Sequence, residues 1–287
     1  MRDAPDSPLG VPVDLDGWAA LLAGSLPGQR LTAVQPIAGG TTNHVVRITV
    51  EGPGGRGHLV VRWRREPAGG QRQGLSTMAY EFRLLSALTV RGIPVPRPVA
   101  LVDAGGMLAG PYLVTEFVAG TSAPATPSVL SAMSQAAKVM ASLHEIDVGA
   151  QDLNFLASAD GPAEDGRDGN SVCLVHNDFW PGNLLWRDGH LAAVVDWEDA
   201  GRGSPLLDLA NARLEMWLAH GRAAAERFTT TYLRERPHVI IDSLPRREVL
   251  LAESVRRKLP QWAGSPDRLL SMMRALEAFS EEARRHR

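Results

Sequence analysis

The segment HNDFWPGN, residues 176–183, sets Asp178 five positions before Asn183, and Asp196 follows 18 positions after Asp178. Each group comes after a short apolar run, CLV ahead of HND and AAVV ahead of DWED. Two carboxylates and an amide delivered at the ends of short buried strands are hard oxygen donors. Such a set suits Mg²⁺, which binds through one or two carboxylates and completes its shell with phosphate and water. Phosphoryl transfer is the chemistry this suggests, because it asks for positioning and for neutralisation of phosphate charge more than for covalent catalysis. Asp and Asn are also common turn residues, so each alone reads equally well as a local cap. The joint spacing carries the argument.

Two kinds of scaffold surround these residues. In the first third, residues 43–50 alternate Val46, Ile48 and Val50 with Arg47 and Thr49, a period of two that predicts a half-buried strand. Glycine-rich EGPGGRG turns the chain, and HLVVRW from His58 predicts the antiparallel partner. PAGGQRQG reads as a loop, Ser76 or Thr77 as the cap of a helix through Tyr80, Leu84, Leu85 and Leu88, and residues 99–102 and 112–118 as further strands. A short amphipathic helix carrying Trp18, Leu21, Leu22 and Leu26 precedes them. From Thr121 the period changes: Leu130, Met133, Ala137, Met140 and Leu143 share one face of a long helix, and three or four amphipathic helices close the chain. The fold class expected is α+β and bilobal. Residues 1–116 form a β-rich N-terminal lobe and residues 117–287 a mainly helical C-terminal lobe, with a hinge at about 116–121.

Composition narrows the classes further. The chain has 287 residues, 44% of them hydrophobic and 22% charged, enough apolar material for about two globular domains. Cys173 is the sole cysteine, which excludes internal disulfides and cysteine-based zinc or iron–sulfur clusters. No apolar run reaches the roughly 18 residues of a membrane span, and the opening MRDAPDSPLG lacks a basic region followed by an apolar stretch, so a cytoplasmic protein is expected. A net charge of −2 and the lack of a basic, aromatic-interleaved stripe argue against nucleic acid as a partner.

The pattern H-x-D-x-x-x-x-N followed by an apolar strand and Asp resembles the catalytic and metal-binding loops of the protein-kinase-like fold. The versions HNDFWPGNLLW and VVDWEDAGRGSPLLDLA are similar to those of the aminoglycoside phosphotransferase and choline kinase branch, whose members phosphorylate small molecules. That resemblance implies Asp178 as the catalytic base and Asn183 with Asp196 as holders of Mg²⁺ on the phosphates of ATP or GTP. It leaves His176 to organise the loop by hydrogen bonding and Asp208 to anchor it. In the N-terminal lobe it implies that AGGTTN, with Gly39, Gly40, Thr41, Thr42 and Asn43, covers the phosphates through backbone N–H groups. Protein kinases place a strand lysine in a V-A-I-K context, whereas this chain has LVVR there and no lysine before Lys138. Arg62 therefore stands as the phosphate cation with Glu81 as its partner, Arg64 on the same strand face is the second choice, and Val60, also on that face, lines the adenine pocket. The backbone of Glu116, Phe117 and Val118 would hydrogen-bond the base.

The acceptor implied is a small-molecule hydroxyl. Residues 145–170 hold seven acidic groups, among them Glu164, Asp165 and Asp168, against Arg167 alone, which hints at a cationic acceptor. An antibiotic-like molecule (aminoglycoside or macrolide) or a secondary metabolite is favoured. Choline, another amino alcohol or a sugar are the alternatives; Trp217, Trp262, Met272 and Met273, at helical spacing, read as core ahead of an apolar pocket wall. Competing classes are a non-catalytic nucleotide-binding protein of the same fold and a hydrolase that uses His176, Asp178, Asp196 and Asp208 as metal ligands.

Overall fold

A computed structural model describes residues 14–37, 42–64, 78–102, 108, 110–124, 128–159 and 168–286. The chain divides into two compact units, Met1–Val118 and Ala119–Arg287.

The first unit is built on a five-stranded antiparallel sheet. Helix α1 (Leu15–Leu22) begins where the Asp14 carboxylate accepts the N–H groups of Asp16 and Gly17 at 3.3 and 3.1 Å, satisfying two of the donors a helix start leaves open. Strands β1 (Arg30–Pro36), β2 (Asn43–Gly52), β3 (Gly55–Arg64), β4 (Pro98–Val102) and β5 (Tyr112–Glu116) lie in the order β1-β2-β3-β5-β4. The β2–β3 hairpin pairs Asn43 with Arg64 through to Gly52 with Gly55, and Gly55 takes the left-handed φ of 94° that the tight turn requires. Alternation then sorts the side chains. Val46, Ile48, Val50, Leu59, Val61 and Trp63 form one core with Trp18, Leu22 and Leu26 of the α1 region. Trp18 meets Trp63 edge-on at 5.6 Å, and the Tyr112 hydroxyl donates to the Leu21 carbonyl at 3.0 Å, which ties the sheet to the helix. Helix α2 (Met78–Val90) buries Leu84, Leu85 and Leu88, as its spacing predicts. The expected caps Ser76 and Thr77 and the PAGGQRQG loop lie outside the described residues.

The second unit is mainly helical. Helix α3 (Val129–His144) buries Met133, Ala136, Ala137, Met140 and Leu143 and packs on α5 (Arg222–Glu235). Between them lie two small antiparallel ladders. Strand β6 (Cys173–Val175) pairs with β9 (Gly201–Gly203), and β7 (Leu184–Arg187) pairs with β8 (His190–Val194). Asp188 and Gly189 join β7 to β8 with φ of 51° and 78°, the two-residue turn whose twist matches the strands. Helix α4 (Pro205–His220) runs against α5, α6 (Leu244–Trp262) and α7 (Pro266–Arg285). Its Ser204 cap accepts the Leu206 N–H at 3.1 Å. A buried ion pair, Arg213 with Glu248, braces α4 against α6, and Arg213 also donates to Thr229 of α5.

Of Trp217, Trp262 and the methionine pair, Trp217 takes the core place its helical spacing favours. Trp217 is buried edge-on against Phe279 at 5.4 Å, while Trp262 and Met273 are exposed and Lys258 lies over the Trp262 ring. Packing α4 on α7 consumes the first ring, and the second falls on the outer face of α6.

Candidate active site

Strand β6 ends at Val175, and the chain turns at once through His176, Asn177 and Asp178. The turn is held from below by Asp208, in the first turn of α4, whose carboxylate accepts the His176 N–H at 2.7 Å and the Asn177 N–H at 2.6 Å. Asn177 has a φ of 64°, a left-handed conformation that asparagine tolerates better than most residues. His176 then locks the next residue. Its Nδ1 accepts the Asp178 N–H at 3.2 Å, which leaves Nε2–H to donate to the Val195 carbonyl at 3.1 Å. Complete burial lowers its pKa, so the ring stays neutral with both nitrogens engaged. It organises the loop, and no nitrogen is left to bind a metal or move a proton.

Asn183 closes the loop back onto Asp178. Its amide nitrogen donates to the Asp178 carbonyl at 2.9 Å and to the Asp178 carboxylate at 2.8 Å. That orientation commits the amide nitrogen inward and keeps the amide oxygen as the group that can ligate a cation. The β7–β8 hairpin supplies the third group. Leu184 pairs with Val194, and the Val195 N–H donates to the Asn183 carbonyl at 2.9 Å, so Asp196 emerges one residue beyond the cross-strand neighbour of Asn183. This hairpin is the physical reason for a fixed spacing between Asn183 and Asp196. Asp196 itself has a φ of 66°, a second non-glycine left-handed residue at the site.

Electrostatically the site gathers several carboxylates around Asp178. Burial, with Asp196, Asp199 and Glu198 nearby, pushes the Asp178 carboxyl up to about 6, against the opposing hydrogen bond from Asn183. One carboxylate was not foreseen. Glu215 of α4, half-buried, is pushed up to about 7 by burial and by the charge of Asp178. Asp208, Asn211 and Glu215 recur at i, i+3 and i+7, one helix face, and Asn211 donates to the Asn177 carbonyl at 3.4 Å. Their spacing from Asp208 is the sequence signal that identifies Glu215.

A divalent cation fits this donor set: one carboxylate and one amide oxygen beside Asp178, around which further carboxylates gather. The competing set of His176, Asp178, Asp196 and Asp208 does not hold together as metal ligands. His176 and Asp208 are consumed by the loop backbone, and no group of three His, Cys, Asp or Glu suited to a metal occurs among the described residues.

In the first unit, Arg62 and Glu81 form an ion pair with side chains 13% and 3% exposed, so Glu81 is a buried partner and not a surface charge. Val60 shares the Arg62 face of β3, opposite Val61 and Trp63. Asn43 is buried at the start of β2 and Thr42 is exposed, while Gly39, Gly40 and Thr41 lie outside the described residues. The N–H groups of Glu116 and Phe117 are committed to the carbonyls of Arg97 and His58 at 2.9 and 3.1 Å. Sheet pairing thus takes these two N–H groups of the 116–118 segment. Phe117 lies half-buried beneath the Arg47 guanidinium, 5.2 Å from the ring centre. Asp168 is also reassigned, because its carboxylate accepts the Ser204 hydroxyl and lies 3.7 Å from Arg247, a brace at the foot of α4. Glu164, Asp165 and Arg167 lie outside the described residues.

The sequence pattern of the phosphotransferase enzyme family matches residues 33–170 and 160–239. The chain belongs to that family. The match takes in every site residue named above. Among curated proteins, mouse acyl-CoA dehydrogenase family member 10 is 23% identical over 198 residues, 54% of this chain but only 18% of that protein. The chain thus spans about a fifth of the length of that relative. Among solved structures, aminoglycoside 2'-phosphotransferase-IIIa with GDP superimposes with a TM-score of 0.59 at 13% identity, covering 94% of this chain and 99% of that one. The streptomycin–ATP complex of APH(2")-IIa gives 0.56 at 15% identity, covering 84% and 89%. The family's protein-kinase-like α+β fold, sheet-based first unit and helical second unit, is the one present here.

Proposed function

We propose that the chain transfers the γ-phosphoryl group of ATP or GTP to a hydroxyl of a small molecule, with Asp178 as catalytic base. The observation that carries this reading is the clamp of Asn183 on Asp178 beside Asp196. It holds a carboxylate in place to receive a proton and presents an amide oxygen and a second carboxylate for a cation. The acceptor oxygen forms a bond to Pγ as the bond from Pγ to the bridging oxygen breaks. The hydroxyl proton passes to the Asp178 carboxylate, and the nucleoside diphosphate leaves. Mg²⁺, when bound through Asn183 and Asp196, supplies neutralisation of phosphate charge. Arg62, fixed by Glu81, serves as the phosphate cation of the first unit, and Val60 and the 116–118 segment as the contacts to the base.

For the acceptor, an antibiotic-like or secondary-metabolite hydroxyl that carries a positive charge is the reading favoured. Its support is Glu215, a half-buried carboxylate beside Asp178 with no hydrogen-bond or ion-pair partner among the described residues. Like charges held together without a counter-charge are costly, and an ammonium group on the acceptor offsets that cost. Soluble hydroxyl acceptors are compatible with a chain in which no described helix is long and apolar enough to cross a membrane. The test is a mass-spectrometric screen of pooled hydroxyl compounds with Mg²⁺ and either nucleotide, recording phosphorylated product together with diphosphate. A product 80 mass units heavier (~80, the mass of an added HPO₃ group) with matching diphosphate supports the reading. Neither signal across the pools, with nucleotide bound, supports a non-catalytic protein instead.

A further inference from the structure

The Asp208 carboxylate does more than receive two amides, because it is the middle of a buried chain that crosses three helices. His144, the last residue of α3, places Nε2 at 3.1 Å from Asp208 Oδ2, and its Nδ1 lies 2.7 Å from the hydroxyl of Tyr232 on α5. Asp208 and Tyr232 are fully buried and His144 is 2% exposed. A carboxylate can only accept, so His144 Nε2 carries the proton toward it, and Nδ1 accepts from the Tyr232 hydroxyl. Burial moves Tyr232 ionisation far above that of a free phenol, so the donor proton is present at working pH. Carboxylate and hydroxyl thereby favour the same imidazole tautomer, and the hydroxyl anchors the ring that presents its donor to Asp208.

At the other end of the chain is the turn that aims the base. Two successive N–H groups, of His176 and Asn177, converge on the two oxygens of one carboxylate, and Asn177 holds its left-handed φ between them. The Asp178 N–H is then fixed on His176 Nδ1. A displaced Asp208 carboxylate therefore displaces three consecutive peptide groups that end at Asp178.

We propose that His144 and Tyr232 are positioning residues for phosphoryl transfer, acting through Asp208 to set the backbone of residues 176–178. This rests on the reading of Asp178 as the base. Removing the Tyr232 hydroxyl leaves Nδ1 buried without its donor and frees the ring to shift, which weakens the Nε2–H bond to Asp208. Removing the imidazole deletes the donor outright. A glutamine at 144 replaces it, since its amide nitrogen reaches the place of Nε2.

The test combines two readouts on the full-length chain. The first is amide hydrogen exchange at His176 and Asn177 by NMR, referenced to amides of α7 that report global opening. The second is turnover of Mg²⁺–ATP with water as acceptor, separated into kcat and KM. In His144→Leu, exchange at the two loop amides rises about 10-fold relative to α7, and kcat falls about 10-fold with KM within about twofold, the scale of one buried hydrogen bond. Tyr232→Phe, nearly isosteric, moves both in the same direction by about threefold, and His144→Gln restores both to within about threefold of the parent. If His144→Leu does not fold, Tyr232→Phe and His144→Gln carry the comparison. Loop exchange unchanged relative to α7 in Tyr232→Phe, or a glutamine variant no better than leucine, overturns the proposal. Asp178→Asn that keeps full turnover overturns the reading of the base instead, and leaves the exchange result to decide the positioning role.

Discussion

At the scale of residues the proposed chemistry turns on a single carboxylate. Asp178 is raised to about 6 because burial and three acidic neighbours disfavour its charge, yet Asn183 holds it in hydrogen-bonding geometry. Asp178→Asn keeps the shape and removes the proton acceptor. Turnover is expected to fall ~10²-fold or more, the size of a general-base contribution, with nucleotide affinity by calorimetry almost unchanged. The same substitution removes the charge that raises Glu215. In Asp178→Asn, the Glu215 carboxyl then titrates below about 7, and carboxyl-carbon NMR across pH reads that shift directly. A Glu215 titration that stays in place would mean burial alone accounts for its shift. Asp178, Asn183 and Asp196 were legible in the sequence because their spacing encodes a loop and a hairpin. Glu215 carried only the weaker signal of sharing a helix face with Asp208, while His144 and Tyr232 carried none, since each is one polar residue in an amphipathic helix and acquires meaning only when helices pack.

Elements, and not individual side chains, fix the distance between groups that must act together. The β7–β8 hairpin brings Asn183 beside the residue before Asp196, and its two-residue turn depends on Gly189 at φ 78°. Gly189→Val forces a branched side chain into left-handed backbone, for an expected loss of about 1–3 kcal/mol in urea unfolding. Turnover of the remaining folded fraction is expected to fall with it, because the turn sets the register of Asp196. The Arg213–Glu248 pair between α4 and α6 is a different kind of constraint. Arg213→Leu leaves Glu248 buried without its partner and is expected to cost about 3–5 kcal/mol, while Arg213→Leu with Glu248→Leu recovers much of that loss. Denaturation midpoints of the two variants separate these outcomes. Strand alternation in β2 and β3 and the helical period of α3 were readable because burial follows period two and period 3.6. The pairing of β6 with β9 was not, since three-residue strands carry no periodicity and are specified only by what packs over them.

The whole molecule's tolerance of acid follows from where its buried charge lies. The second unit holds Asp208 ionised at full burial. Burial alone would raise its pKa, but the interactions with His144 and His176 outweigh it and hold the carboxyl below its ordinary range. A group whose folded pKa is depressed binds its proton more readily when unfolded. It contributes stability above the unfolded value of about 3.9, and that contribution disappears as pH falls through the lower folded value. Urea midpoints are therefore expected to be flat in this group's contribution above about pH 5 and to decline below about pH 4, with proton uptake on unfolding. Asp208→Asn tests the assignment, because an amide cannot accept from both backbone N–H groups and His144 at once. The variant is expected to be less stable at neutral pH and to show a shallower acid decline than the parent. An unchanged acid slope in Asp208→Asn would place the acid-sensitive carboxylate elsewhere. Since the same carboxylate grips the 176–178 turn, acid is expected to loosen those residues before it unfolds the chain. Amide exchange at His176 and Asn177 should then rise at a higher pH than exchange at α7, and simultaneous rises would show that the turn and the global fold share one transition.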